Sequence, residues 1–221
     1  IYKRGEKTVG HSTSSPAVRR MVFMYYELAD EFRVRRWATL EFWLALLSLV
    51  IAFYSCIYMH SIGQYLYLRI CGVTVFRFDP TAYGVILKYI SSPLPVHMEL
   101  GTVVAGQIFN LAFFSAVMLI AWSWRRLLGS TPDVLSKFLL GYGLGTVLDP
   151  VIHLVLDWSL GNFNCTASAL CASSFQALEC TCFVGDAFKL PERFMAVEGS
   201  PIAGILLTVL AHAIVSCASL V

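Results

Sequence analysis

Long apolar segments constrain this chain more than any other feature. The segment 38–58 is apolar almost throughout, and at about 1.5 Å per helical residue it can cross a hydrocarbon core of roughly 30 Å. Comparable apolar segments occupy 99–122, 136–156 and 201–221. Because 57% of the residues are hydrophobic and only 14% are charged, the composition excludes an ordinary soluble domain. The sequence therefore predicts an all-α polytopic membrane protein with about four transmembrane helices.

The first 37 residues are predicted to lie outside this membrane core. Residues 1–16 are polar, which is typical of an extended arm. Between 17 and 37, apolar residues recur at three- and four-residue steps opposite charged residues. This pattern predicts an N-terminal amphipathic helix in the plane of the membrane interface. A helix that packs on a soluble partner would give the same pattern and stays an alternative.

A group of polar side chains interrupts the first apolar segment, whose helix we expect to cover 38–70. His60, Ser61 and Gln64 stand in the string HSIGQ, and residues three or four apart share one helix face. Polar side chains at membrane depth usually indicate function. The chain then turns at Gly72 and prolines interrupt it up to residue 98, so we expect a short β-like or re-entrant segment there.

Two more polar motifs lie in the second and third apolar segments. Asn110 ends the string AGQIFN, and Asp149 precedes Pro150 in the string LDP. His153 follows Asp149 by four residues and shares its helix face. A buried asparagine amide needs a hydrogen-bond partner, since an unsatisfied one costs about 1–3 kcal/mol. Hydrogen bonding between helices is the plain alternative to a role in an active site.

The three motifs, in this order, resemble the core of the site-2 protease family of intramembrane zinc metalloproteases over roughly residues 54–157. HSIGQ is similar to the family's HExxH-type motif, AGQIFN to its AGPxxN pattern, and Leu148-Asp149-Pro150 to its LDG motif. The resemblance implies that Ser61 replaces the general-base glutamate and that Gln64 replaces the second zinc-binding histidine. These are the groups that activate water.

The resemblance therefore implies a catalytically inactive core that is not an enzyme and holds no cofactor and no metal. In such a core we expect His60, Asn110 and Asp149 to converge as the hydrogen-bonded remnant of a metal site. That remnant would fix the register of the helices instead of performing chemistry.

Small residues predict how the core helices pack. Gly141 and Gly145 form a GxxxG pattern on the third span, and three small residues lie on the second span: Gly101, Ala105 and Gly106. Such residues let helix backbones approach closely in a membrane. We expect the second and third spans to pack on each other through these two sets.

The segment 157–200 is polar and predicts an extracytosolic loop before the last span at 201–221. The loop carries a glycosylation sequon at Asn164. It also holds four cysteines, which allow three pairings and suit a disulfide-stapled loop in an oxidising compartment: Cys165, Cys171, Cys180 and Cys182.

The distribution of charge predicts the orientation and the compartment. Basic pairs at 35–36 and 125–126 place those helix ends on the cytosolic side. A sequon and paired cysteines on the opposite side favour a membrane of the secretory pathway, the cell surface or a cilium. The mitochondrial inner membrane stays an alternative.

Our leading interpretation is a non-catalytic integral membrane subunit, a pseudoprotease-like scaffold in a larger complex. Its partners would be the lipid bilayer and other membrane subunits, whereas no basic stripe indicates nucleic acid. One alternative is an active intramembrane zinc metalloprotease that uses His60, Asp149 and a further ligand such as His153. Another is a channel or transporter component with a polar path along Asn110, Asp149 and His153.

Overall fold

The computed structural model describes residues 16–32, 34, 37–82, 84–89, 95–161 and 185–219. Within these residues the chain forms six helices and one two-stranded sheet, so it is mostly helical. It divides into two compact units, Ile1–Leu46 and Leu47–Val221.

The first unit contains helix α1, Pro16–Glu31. Several of its apolar side chains are exposed, among them Met21, Phe23 and Tyr25. The helix ends before residue 37, where the sequence pattern placed its end. Asp30 and Glu31 lie in its last turn, and carboxylates there interact unfavourably with the negative end of the helix dipole.

Three helices are long and apolar enough to cross a membrane: α2, Leu40–Ile70; α3, Val96–Leu128; and α4, Asp133–Leu160. They agree with the expected all-α membrane architecture. Helix α2 starts in the first unit, where the Thr39 hydroxyl accepts a hydrogen bond from the amide of Phe42. It then continues without a break through the HSIGQ turn. The last apolar helix, α6, Ile202–Ser219, is shorter, so the fourth crossing stays a prediction.

A β-hairpin occupies the segment that was expected to be β-like or re-entrant. Strands β1, Val75–Thr81, and β2, Gly84–Tyr89, pair antiparallel, with an irregularity between Val75 and Arg77. The Tyr58 hydroxyl donates a 2.8 Å hydrogen bond to the carbonyl of Thr81. This contact fixes the tip of the hairpin to α2.

The segment 157–200 is not a loop throughout, which corrects the expectation from the sequence. Helix α4 continues to Leu160, and helix α5, Asp186–Glu198, precedes α6. Gly199 ends α5 with φ of 74°, a conformation that glycine adopts without strain. The sequon and the four cysteines of this segment lie outside the described residues, so their predicted roles stay predictions.

The glycines of α3 and α4 lie at contacts between helices, and the helix that each of them faces is α2. A methyl group at Gly145 would lie 3.4 Å from the Cys56 sulfur, and one at Gly141 would lie 3.0 Å from the Leu49 side chain. On α3, a methyl group at Gly101 would meet Tyr67, and one at Gly106 would meet His60. Side chains of α2 therefore lie in front of these four glycines, and the expected packing of the second and third spans through the two sets stays a prediction.

Candidate functional site

His60 lies at the centre of a buried polar cluster that we call the His60 cluster: His60, Gln64, Asn110, Asp149, Asp186 and Lys189. The helical spacing of HSIGQ turns His60 and Gln64 toward the same side, and both are almost fully buried. Gly106 on α3 makes this placement possible. A methyl group there would lie 2.4 Å from the His60 ring.

Asp149, which Asn110 holds in place, pairs with the first side of the His60 ring. The Nδ1 atom of His60 lies 2.7 Å from Asp149 Oδ2, and Asn110 Nδ2 donates a 2.8 Å hydrogen bond to Asp149 Oδ1. The Tyr142 hydroxyl in turn donates a 2.8 Å hydrogen bond to Asn110 Oδ1. Side chains from α2, α3 and α4 thus meet in one chain of hydrogen bonds.

Asp186, at the first turn of α5, binds the other side of the ring. Its Oδ2 atom lies 2.9 Å from His60 Nε2 and accepts a 2.5 Å hydrogen bond from Gln64 Nε2. Lys189 Nζ donates a 2.6 Å hydrogen bond to Asp186 Oδ1. The sequence reasoning missed Asp186 and Lys189. Two signals in the sequence could have found them. The two residues are three apart and so share one helix face, and Gly185 and Gly199 bracket a segment of helical length.

The charges of the cluster balance. Because each His60 nitrogen faces a carboxylate oxygen, both must donate, so the ring is an imidazolium. Burial alone would raise the pKa of the Asp186 carboxyl, but the Lys189 ammonium and His60 hold it well below its usual range. Burial opposes the charge on Lys189 as well, yet Asp186 keeps the pKa of that ammonium raised. Two cations therefore neutralise two carboxylates.

His153 packs beside the His60 cluster but makes no hydrogen bond to it. Its ring centroid lies 3.9 Å from that of His60, and its Nε2 atom lies 3.7 Å from Asp149 Oδ1. Among the described residues, this buried nitrogen has no hydrogen-bond partner. Candidate ligand atoms of His60, Asp149 and His153 lie within 4.8 Å of one another, close enough to hold one metal ion.

A cleft between the hairpin and the helices reaches the cluster. Its polar walls include Ser61, Gln64, His153 and Asp186, and Val85 and Ile86 of β2 contribute apolar surface. A small polar molecule or an ion that entered this cleft would meet Gln64 and Asp186 of the His60 cluster and, beside them, His153.

The structure brings together four of the five positions that the sequence singled out: His60, Gln64, Asn110 and Asp149. The fifth, Ser61, lies on the cleft wall, but its hydroxyl donates a 3.2 Å hydrogen bond to the carbonyl of Ile57 in its own helix.

Comparison with family models, with curated proteins and with solved structures finds no match.

Proposed function

We propose that the chain is a non-catalytic integral membrane subunit of a larger complex, and that the His60 cluster holds its helices in register. The single observation that carries this proposal is the pairing of both His60 nitrogens with carboxylates from two other helices, α4 and α5. Removing one partner from a buried charge pair costs about 3–5 kcal/mol. A cluster of this kind therefore favours one arrangement of the helices over all others.

The hydrogen bonds of Ser61 and Gln64, the two residues that depart from the HExxH-type motif, support the same proposal. Gln64 donates to Asp186, and the Ser61 hydroxyl donates to the backbone of its own helix. A serine hydroxyl does not act as a base near neutral pH. On this proposal the resemblance to site-2 proteases reflects a related helical core in which these positions serve packing and hydrogen bonding.

The proposal includes a topology. Helix α6 would form the fourth crossing, the segment 162–184 would lie outside the cytosol with paired cysteines, and α1 would lie at the membrane interface. The membrane would belong to the secretory pathway, the cell surface or a cilium, with the mitochondrial inner membrane as the alternative. The bilayer and other membrane subunits would be the partners.

Purification of the full chain from its own membrane in mild detergent tests the scaffold role. We expect a particle heavier than one chain, with other membrane proteins at fixed stoichiometry. Asp149→Leu should abolish this particle, whereas Glu198→Gln at the exposed end of α5 should leave it intact. A monomer from mild detergent and from lipid nanodiscs would contradict the scaffold role.

A metal-dependent intramembrane hydrolase is the second candidate function. It is favoured by the close approach of His60, Asp149 and His153, with the Asp186 carboxyl on the same cleft. The discriminating measurement compares peptides released from membranes that carry the wild type or His60→Ala. A peptide that depends on His60 would favour the hydrolase over the scaffold.

A further inference from the structure

We propose that the C-terminal end of α3 binds the headgroup of an anionic phospholipid, of the phosphatidylserine kind, through Trp122, Arg125 and Arg126. This inference deepens the proposed function, because it names a lipid class among the partners, and it rests on the proposed topology only for the choice of leaflet. Binding of the lipid does not depend on whether the chain assembles with other subunits.

Two exposed arginines end α3. Arg125 and Arg126 lie in its last turn, before Gly129 caps the helix in the left-handed conformation. Within the described ranges, no carboxylate forms an ion pair with either arginine. Asp133, the next carboxylate along the chain, accepts a 2.5 Å hydrogen bond from Lys137 instead. The end of α3 therefore presents two positive charges that no described acidic side chain pairs with.

Large apolar side chains flank these charges on both sides in the sequence. Trp122 and Trp124 precede the arginines and are about half exposed, whereas Leu127 and Leu128 follow them and are 84% and 62% exposed. Leucine is stable among acyl chains, and tryptophan is enriched at the level of the headgroups. Arginine can bury its aliphatic stem in such surroundings while its charge reaches the headgroups. This composition suits a helix end at the boundary between acyl chains and headgroups.

The ring of Trp122 positions one of the two guanidinium groups. The Cζ atom of Arg126 lies 5.3 Å from the centroid of this ring, within the distance of about 6 Å at which a cation and a ring attract each other. The contact restricts a long side chain before a ligand arrives, so less conformational entropy is lost on binding. The guanidinium still offers N–H donors, whose planar arrangement matches two oxygens of a phosphate.

The charge at this end of α3 fits an anionic lipid better than a zwitterionic one. A phosphatidylserine headgroup carries a net negative charge, whereas a phosphatidylcholine headgroup is neutral overall. Anionic lipids give the cytosolic leaflet a negative surface potential, which attracts basic residues close to the membrane. In the proposed topology, this is the leaflet that α3 reaches at Arg125 and Arg126.

Arg69 offers a comparison within the same chain. It is an exposed arginine in the last turn of α2, so it also lies at the negative end of a helix dipole. Among the described residues, no aromatic ring makes a cation–π contact with it. If the arginines of α3 served only the helix dipole, loss of Arg69 and loss of Arg126 would affect lipid binding equally.

Native mass spectrometry of the purified full chain tests the proposal, with phosphatidylserine or phosphatidylcholine of the same acyl chains titrated in detergent. We expect phosphatidylserine to bind more tightly by about 5-fold for each arginine, which corresponds to about 1 kcal/mol per basic residue near a membrane surface. Arg126→Gln should remove about 5-fold of this preference, and Trp122→Leu about 2- to 5-fold. Arg69→Gln and Trp158→Leu should keep it, as matched losses of an exposed arginine and an exposed tryptophan on other helices.

Thermal unfolding with each lipid separates lost binding from lost folding. Phosphatidylserine should raise the unfolding temperature of the wild type more than phosphatidylcholine does, and this difference should disappear in the double variant Arg125→Gln/Arg126→Gln. Equal affinity for the two lipids, an unchanged preference in the folded double variant, or an equal loss in Arg69→Gln would overturn the proposal.

Inorganic phosphate distinguishes a lipid headgroup from free phosphate. We expect it not to displace phosphatidylserine at equal concentration, and displacement would overturn the proposal, because the site would then recognise phosphate alone. A chain that prefers phosphatidylserine but stays monomeric in lipid nanodiscs would support this inference and contradict the scaffold role.

Discussion

Gly106 sets the space that is available to His60. The ring of His60 occupies the volume that any side chain at position 106 would need, since a methyl group there would lie 2.4 Å from it. At Gly145, on another helix that faces α2, a methyl group would lie 3.4 Å from Cys56, an ordinary contact distance. An alanine at position 106 would therefore clash with His60, whereas an alanine at position 145 would fit against Cys56.

We expect Gly106→Ala to destabilise the protein by about 1–3 kcal/mol, because the added methyl group pushes the His60 ring away from its carboxylates. Gly145→Ala should be neutral or stabilise by up to about 1 kcal/mol through helix propensity. Chemical unfolding in a fixed detergent measures both changes. Equal effects of the two substitutions would mean that the contact with His60 is unimportant.

Single residues differ in how far the sequence could predict them. His60, Asn110 and Asp149 stood out because each is polar within an otherwise apolar helix, and the structure joins them. Asp186 could not stand out in this way, since it lies in a polar segment where carboxylates are ordinary. Its burial depends on where α5 packs, and that is a tertiary property.

Helix α5 shows why elements were harder to predict than residues. Pro191 lies inside it, and a proline within a helical pattern argues for a break. Packing overrides this local preference. Gly204 of α6 has no side chain, and a methyl group there would lie 2.6 Å from the backbone of Leu190. Arg193 of α5 also pairs with Glu99 of α3. The long apolar helices, by contrast, were predictable because their length alone defines them.

The docking of α5 should depend on pH through Glu192. Burial, and next the neighbouring Glu99 carboxylate, raise the pKa of Glu192 above its ordinary value of 4.5. A carboxyl whose pKa is raised by folding favours the fold when protonated. That stabilisation is fully present below pH 4.5 and is lost as the pH rises through the folded pKa.

Glu192→Gln should therefore be more stable than the wild type near neutral pH and equal to it below pH 4.5. Hydrogen exchange of α5 and thermal unfolding across this range measure the difference. Glu198→Gln, at the exposed end of the same helix, is the control and should not follow this pattern. A constant difference between wild type and Glu192→Gln at every pH would contradict the prediction.

The topology of the chain can be tested through its sequon. If the segment 162–184 lies in the lumen of the secretory pathway, glycosidase treatment should increase the mobility of the wild type and leave Asn164→Gln unchanged. Asn162→Gln, two residues away and outside the sequon, should behave as the wild type. Glycan on the wild type together with thiol labelling of its four loop cysteines from the cytosolic face would contradict the orientation.

The neutrality of the His60 cluster determines how the protein responds to an electric field. The two positive and two negative groups of the cluster sum to zero net charge. A change in membrane voltage therefore does little work on this cluster. A cluster with one unpaired charge would be sensitive to voltage, because one elementary charge at full depth is worth about 2.3 kcal/mol for about 100 mV across the bilayer.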